Sequence, residues 1–212
     1  MVRSRSIPGA MLILCGALAA SACVTEPPAG EATASGQQSA AAVLTVTAVL
    51  RDANANVIAT VVFTAIGNAT LVSVIARLPD GAGVHGFHVH ANDNPANGDG
   101  CIADPAQPPT TFFVSADGHF NPGAATHGNH AGDMPPLFVA ASGNTATSFI
   151  TDRFTPAAIK GRAVILHAGA DNFGNIPLGT AANQYTANAA DATTLTANTG
   201  NAGNRIACGV IQ

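Results

Sequence analysis

Seven histidines stand between positions 85 and 167 of this 212-residue chain, and none stands elsewhere. They are His85, His88, His90, His119, His127, His130 and His167, with Asp133 three residues beyond His130. Neutral imidazole is the commonest nitrogen ligand for zinc and copper, so the bunching points to a metal site and to more than one ion. His88 and His90 form an HxH pair in GFHVH. On a strand, residues two apart face one side, so both rings reach a single ion. On a solvated face the same pair is merely two polar residues. His85 has the opposite parity and points elsewhere if the strand is regular. His127, His130 and Asp133 recur at intervals of three in HGNHAGD. Two imidazoles and a carboxylate so spaced can close on a tetrahedral ion such as zinc, with His119 of DGHFNP as the fourth ligand. His167 ends the apolar run RAVILHA, where a lone histidine is more often a hydrogen-bonded core residue; the company of six others favours a ligand.

The elements that must hold these groups read as strands. Runs at 42–50, 57–65 and 70–78 alternate apolar with polar or small residues and are parted by turn chemistry at 52–56, 67–68 and 79–81. Further strands are expected at 84–90, 137–141, 146–151, 162–168 and 205–211. That makes about eight short strands and an all-β fold, a sandwich or barrel. The segment 155–160 carries the one helical hint. Two long segments, 91–136 and 169–203, interrupt the strands, and loops of such length in a small domain are usually functional. The first holds His119, His127, His130 and Asp133.

Ahead of the domain, residues 1–22 combine Arg3 and Arg5 with a short apolar run and a small-residue cleavage site, which is a secretory leader rather than a membrane span. Cys23 directly after it is the lipid-carrying residue of a bacterial lipoprotein, or a passive thiol after ordinary cleavage. Residues 23–41 are rich in Pro, Ala, Gly and Ser and read as a flexible tether, leaving 42–212 as one domain. Twelve acidic residues face eight basic ones. Loss of Arg3 and Arg5 takes the net charge from −4 to −6. Without a basic patch, neither nucleic acid nor acidic lipid is an expected partner. With Cys15 in the leader and Cys23 at its end, Cys101 and Cys208 remain. In the oxidising compartment that export implies they pair as one disulfide, or else both serve as thiolate ligands.

The stretches HGFHVH, GHFNP, HGNHAGDMP, VILHAGADNFGN and GNAGNRIACGVI occur in one order across residues 42–212. Together they resemble the bacterial secreted copper/zinc superoxide dismutases. The resemblance implies an eight-stranded Greek-key β-sandwich or flattened barrel that converts superoxide to dioxygen and hydrogen peroxide in the cell envelope or periplasm. It implies copper on His88, His90, His119 and His167, and zinc on His119, His127, His130 and Asp133, with His119 bridging the two and supplying a proton. It implies that Asp171 hydrogen-bonds His88 and His127, that His85 braces the site without ligating, and that Arg205 orients the anion beside copper. Cys101 and Cys208 match the family's disulfide. Members occur as monomers and as homodimers. A copper-binding or storage module on the same fold is the alternative, and it has no need of Arg205.

The chain departs from the family's pattern in two places. Only two residues separate His127 from His130, fewer than members often have, which bears on the zinc half alone. The segment 179–204 carries Asp191 as its sole charged residue. Attraction of superoxide then rests on Arg205 and the metal, and exposed charges are what salt screens. Dismutation is therefore expected to change little with added salt; a steep fall in rate across an ionic-strength series overturns this.

Overall fold

Alternation of β-branched and small residues builds strands close to where the sequence places them. The computed structural model describes residues 42–98, 100–174, 179, 181–182 and 191–212. The leader at 1–22, Cys23 and the tether at 23–41 lie outside the described residues. Strands β1 (Thr45–Arg51), β2 (Val57–Ile66) and β3 (Ala69–Arg77) form an antiparallel meander. Their inward faces carry Val46, Leu50, Val61, Phe63, Val72 and Val74. Asp52 organises the first turn, its Oδ1 accepting the N–H groups of Asn54 and Asn56 at 2.9 Å each. Gly67 makes the second with φ 56°, a conformation that costs glycine nothing.

The remaining elements are β4 (Gly83–His85), β5 (Phe87–His90), β6 (Leu137–Val139), β7 (Asn144–Thr151), α1 (Pro156–Ile159), β8 (Ala163–His167), α2 (Ala192–Thr199) and β9 (Arg205–Val210). Seven strands lie in the order β5-β8-β9-β1-β2-β3-β7, and β4 pairs with β6 apart from them. The strand pairings are antiparallel. Joining β3 to β7 and β1 to β9 skips neighbours in the chain, a Greek-key-like connectivity. The main core gathers Leu50, Phe63, Phe87, Leu137, Ile159 and Leu166.

Nine strands form among the described residues where eight runs were expected, because 84–90 divides at Gly86. There the chain leaves the β6 pairing and joins β8. A Cβ on Gly86 would stand 2.7 Å from both the Ala202 Cβ and Asp171 Oδ1, so a bare backbone is needed at the crossing. The helical hint at 155–160 is met by α1, whose first turn is capped by the Thr155 side chain accepting from the Ala158 N–H. Helix α2 lies in a segment that reads as loop. Its threonines carry weak helix propensity, so no sequence signal announces it. It ends at Gly200 in the left-handed region, whose N–H returns to Leu195 and Thr196 carbonyls.

The sheet register aims the histidines. Strand β5 is buried on both faces, with Phe87 and Val89 in the core and His88 and His90 on the opposite side. His88 pairs with Ile165 and His90 with Ala163 on β8, which leaves His167 on the same face two residues beyond Ile165. The other edge of β5 is closed by the 91–136 loop. Val89 N–H donates to the Gly132 carbonyl at 2.9 Å, and Phe120 N–H donates to the Val89 carbonyl at 2.8 Å. This sets His119 beside His90 and Asp133 beside His88. Cys101 and Cys208 form a disulfide that ties the same loop to β9 across 107 residues. Closing a loop of that length is worth about 4–5 kcal/mol in the chain-entropy view. It rules out the pair as thiolate ligands.

Gly132 is the tightest point of this docking. A Cβ there would lie 2.2 Å from the Val89 carbonyl oxygen and 3.1 Å from the Phe120 Cβ. Gly132→Ala must push the loop off β5, and overpacking of this kind costs about 2–3 kcal/mol. Denaturant unfolding should show that loss, together with weaker metal uptake; wild-type values for both would refute the account.

Candidate metal centre

All seven histidine side chains are buried, and six of them converge. The first group of donors is His88, His90, His119 and His167, whose ligand atoms lie within 4.8 Å of one another. Each ring is turned by a bond on its outer side. His90 Nδ1–H donates to the Asp117 carbonyl at 2.8 Å, and His167 Nδ1–H to the Gly203 carbonyl at 3.1 Å. His88 Nε2–H donates to Asp171 Oδ2 at 2.8 Å. Those bonds fix the tautomers and turn the lone pairs of His88 Nδ1, His90 Nε2 and His167 Nε2 inward. These three nitrogens and His119 Nε2 are buried and find no hydrogen-bond partner among the described residues. Four orphaned buried acceptors in one place are costly unless something electron-poor sits among them. Four imidazole nitrogens are a donor set suited to copper.

The second group lies on the far side of His119. Its Nδ1 is 2.8 Å from Asp133 Oδ1 and 3.1 Å from His130 Nδ1. Asp133 Oδ1 is also 3.3 Å from His127 Nδ1 and 3.2 Å from His130 Nδ1. By mutual distance alone, His88 joins His119, His127 and Asp133 within 4.8 Å, while His130 falls outside that set. Chemistry separates them. His88 has its Nε2 committed to Asp171 and its Nδ1 among the first group, whereas His130 turns Nδ1 toward the same carboxylate oxygen as its neighbours. Three imidazoles and a carboxylate are a tetrahedral set that suits zinc. Asp133 Oδ2, the outer oxygen, accepts the N–H groups of Gly128 at 2.7 Å and His130 at 3.0 Å.

Asp171 bonds His88 as expected, but the second expected bond is not made. His127 Nε2 stops 3.8 Å from Asp171 Oδ1. The His127 ring is instead held by stacking on Phe173, with centroids 5.3 Å apart and planes 13° off parallel. Its backbone N–H donates to the Ala197 carbonyl of α2 at 2.8 Å. His85 takes no part in either group. Its two ring nitrogens lie 2.8 Å from the His167 carbonyl and 2.7 Å from the Gly81 carbonyl, so it ties β4 to the end of β8.

Burial dominates the electrostatics. Desolvation, followed by the charge of neighbouring rings, pulls His88 and His90 well below 6.5. His167 falls to about 3, by burial first. His119 also drops by burial, with Asp133 opposing. The two carboxylates diverge. Burial would raise Asp133, but the hydrogen bonds from His119 and His127 and their charge hold it far below the usual range. Asp171 rises to about 7 through burial, with His127 opposing and the Asp133 charge adding to the rise.

Arg205 opens β9, and its guanidinium shares the Asp117 carbonyl with His90. Its Nη1 donates to the Phe113 carbonyl and its Nη2 to the Asp117 carbonyl at 2.6 Å. Burial lowers it to about 10, so it stays cationic at neutral pH, and its charge depresses His90 and His167. Asp117 is a residue that sequence reasoning missed. Its φ of 64° and ψ of −161° belong to a region natural to glycine alone. Its carboxylate holds that shape by accepting from the N–H groups of Asp93 at 2.8 Å and Asn94 at 3.0 Å, and from Asn97 Nδ2 at 2.6 Å. Next to Gly118 it reads as a plain turn, and nothing in the sequence announces a carbonyl shared by His90 and Arg205.

Residues 57–211 match the family described as copper/zinc superoxide dismutase (SODC). A superoxide dismutase [Cu-Zn] of Deinococcus radiodurans is 32% identical over 182 residues, covering 79% of this chain and 84% of that protein. One from Photobacterium leiognathi is 32% identical over 137 residues, 61% of this chain and 65% of the relative. Among solved structures, the Cu/Zn superoxide dismutase of Brucella abortus superposes with a TM-score of 0.56 at 24% identity, covering 80% of this chain and all of that one, a likeness of fold.

Burial of neutral imidazoles has a measurable cost in acid. Unfolded histidines take up protons below about pH 6.5, while His88, His90, His119 and His167 resist in the fold. Asp171 acts the other way, holding a proton in the fold up to about pH 7. The histidines outnumber it, so the metal-free protein should lose stability as pH falls from 6.5 toward 4, by about 1.4 kcal/mol per pH unit for each net proton. Thermal unfolding of chelated protein at pH 7 and pH 5 checks this; an equal or higher midpoint at pH 5 contradicts it.

Proposed function

The chain belongs to the copper/zinc superoxide dismutase family, and on that premise we propose that it disproportionates superoxide in an extracytoplasmic compartment. His88, His90, His119 and His167 would hold copper, and His119, His127, His130 and Asp133 would hold zinc. Copper when bound supplies the one-electron couple, and zinc supplies a fixed charge on the far side of the shared ring. Overall, two superoxide anions and two protons give dioxygen and hydrogen peroxide; one anion loses the electron that the other gains.

The remaining chemistry belongs to the chain. Arg205 presents a positive charge beside the first group while two carbonyls of the disulfide-tethered loop orient its plane. Two of its five N–H groups are used there, which leaves donors for a small anion. His119 Nε2 is the buried nitrogen suited to hold a proton and pass it to reduced oxygen, because Nδ1 is anchored among Asp133 and His130 and keeps the ring in place. The outer bonds from Asp171, Asp117 and Gly203 hold His88, His90 and His167 rigid. The observation that carries the reading is the convergence of four buried imidazole nitrogens that find no hydrogen-bond partner among the described residues.

Export is supported by the Cys101–Cys208 disulfide, a bond that forms and persists most readily in an oxidising compartment. The leader at 1–22 would direct export and be removed, and a lipid on Cys23 would then fix the protein to a membrane surface, where it would remove superoxide arising outside the cytoplasm.

Metal content and dismutation measured on one purified sample test the reading. One copper and one zinc per chain with high activity are expected. Arg205→Gln should keep both metals and lose about tenfold or more of the activity. Full copper without activity in the wild type would instead favour a copper-storing module.

A further inference from the structure

We propose that Arg153, on the connection between β7 and α1, is a positioning residue for the zinc half of the site. Its Nη1 donates to the His130 carbonyl at 3.0 Å and its Nη2 to the Gly128 carbonyl at 2.9 Å. These are the same two residues whose N–H groups donate to Asp133 Oδ2 from the inner side. Residues 128 and 130 are therefore held from both sides, by a carboxylate within and a guanidinium without. The segment needs such holding. Two residues alone separate His127 from His130, and one of them is Gly128 with φ 90°. Glycine brings the greatest backbone freedom, and with it the greatest entropy to lose on ordering.

Only arginine's fork suits the task. Two nitrogens of one planar group reach two carbonyls at once, which a lysine ammonium on its single stem does not match. The root of the clamp is rigid. Arg153 N–H donates to Thr151 Oγ1 at 3.2 Å, and the next residue, Phe154, is buried with its ring edge-on to Phe63 at 6.0 Å. A cavity of about 360 Å³ beside the clamp, lined by Gly128, Asp133, Met134, Phe149, Arg153 and Phe173, reaches Asp133 from outside. An ion leaving on this side passes the segment that Arg153 holds. The effect should fall on zinc and spare copper, because the Arg153 guanidinium bonds carbonyls of the 128–130 segment, and that segment supplies none of His88, His90, His119 and His167.

The inference rests on the assignment of zinc to His119, His127, His130 and Asp133. The test uses the disulfide-intact protein and its Arg153→Gln and Arg153→Lys variants. Zn²⁺ release is followed under chelator challenge, Co²⁺ in the same site by visible absorption, and Cu²⁺ by electron paramagnetic resonance. Arg153→Gln should weaken Zn²⁺ binding about 10- to 100-fold and alter the Co²⁺ spectrum, with the Cu²⁺ spectrum unchanged. Arg153→Lys should recover part of the loss at most. Zn²⁺ affinity within twofold of wild type in a folded Arg153→Gln protein overturns the proposal. If that variant shows no unfolding transition, Arg153→Lys decides, and wild-type Zn²⁺ affinity there overturns it equally. A wild type that takes up no Zn²⁺ removes both the assignment and the clamp's role, whereas normal uptake with unaffected variants removes the clamp alone.

Discussion

Everything at the metal centre depends on how the long loop closes the free edge of β5. Backbone hydrogen bonds carry out this docking, among them Val89 N–H to Gly132, Phe120 N–H to Val89 and Ala91 N–H to Gly118. They do for the loop what a neighbouring strand would do, satisfying edge groups that would otherwise be buried unpaired. The alternation of a strand then fixes the rest. With Val89 in the core, His88 and His90 must face the other way, next to Asp133 and His119 respectively. A shift by one residue would turn both imidazoles into the core and Val89 into the site. Gly132 permits the approach because no side chain stands between it and the Val89 carbonyl.

That docking brings six imidazoles and two carboxylates into a space with little water. Desolvation favours the neutral form of His88, His90, His119 and His167, and neighbouring rings add to that effect. The lone pairs thus stay available for a cation. The carboxylates divide the remaining work. Asp133 is surrounded by donors and remains an anion, a strong partner for a divalent ion. Asp171, with one close ring bond, sits near neutrality in its titration and serves to orient His88. Two aspartates of one chain differ in behaviour because three imidazoles surround one and a single hydrogen bond anchors the other.

The Arg205 side of the cluster has its own chain of support. The disulfide holds the 100–117 segment against β9, and Phe113, Ala116, Ala163 and Ile165 pack around Cys208 as a second core. From that segment the Phe113 and Asp117 carbonyls hold Arg205, and the Asp117 carbonyl also fixes the tautomer of His90. Asp117 keeps a glycine-like backbone at a cost of order 1–3 kcal/mol, offset by three hydrogen bonds to its carboxylate. One strained residue thereby orients the His90 ring and the Arg205 guanidinium together.

Much of this was legible in the chain itself. The β-alternation marked the strands to within a few residues, and the HxH pair on β5 marked its site-facing side, because the period of a strand is a local property. The two remaining domain cysteines marked the disulfide, and the spacing of His127, His130 and Asp133 marked donors that do meet around one oxygen of Asp133. Other features were settled only when distant segments met. The split at Gly86 follows from the approach of residues 171 and 202, and α2 forms where propensity alone predicts a loop. His127 stacks on Phe173 instead of reaching Asp171. Asp117 and Arg153 gave no signal, because their roles lie in backbone carbonyls offered or gripped across the fold. Residue type and period settle which groups are able to bind an ion. Which of their two ring nitrogens points inward depends on hydrogen bonds from residues tens of positions away, and those exist only once the chain has packed.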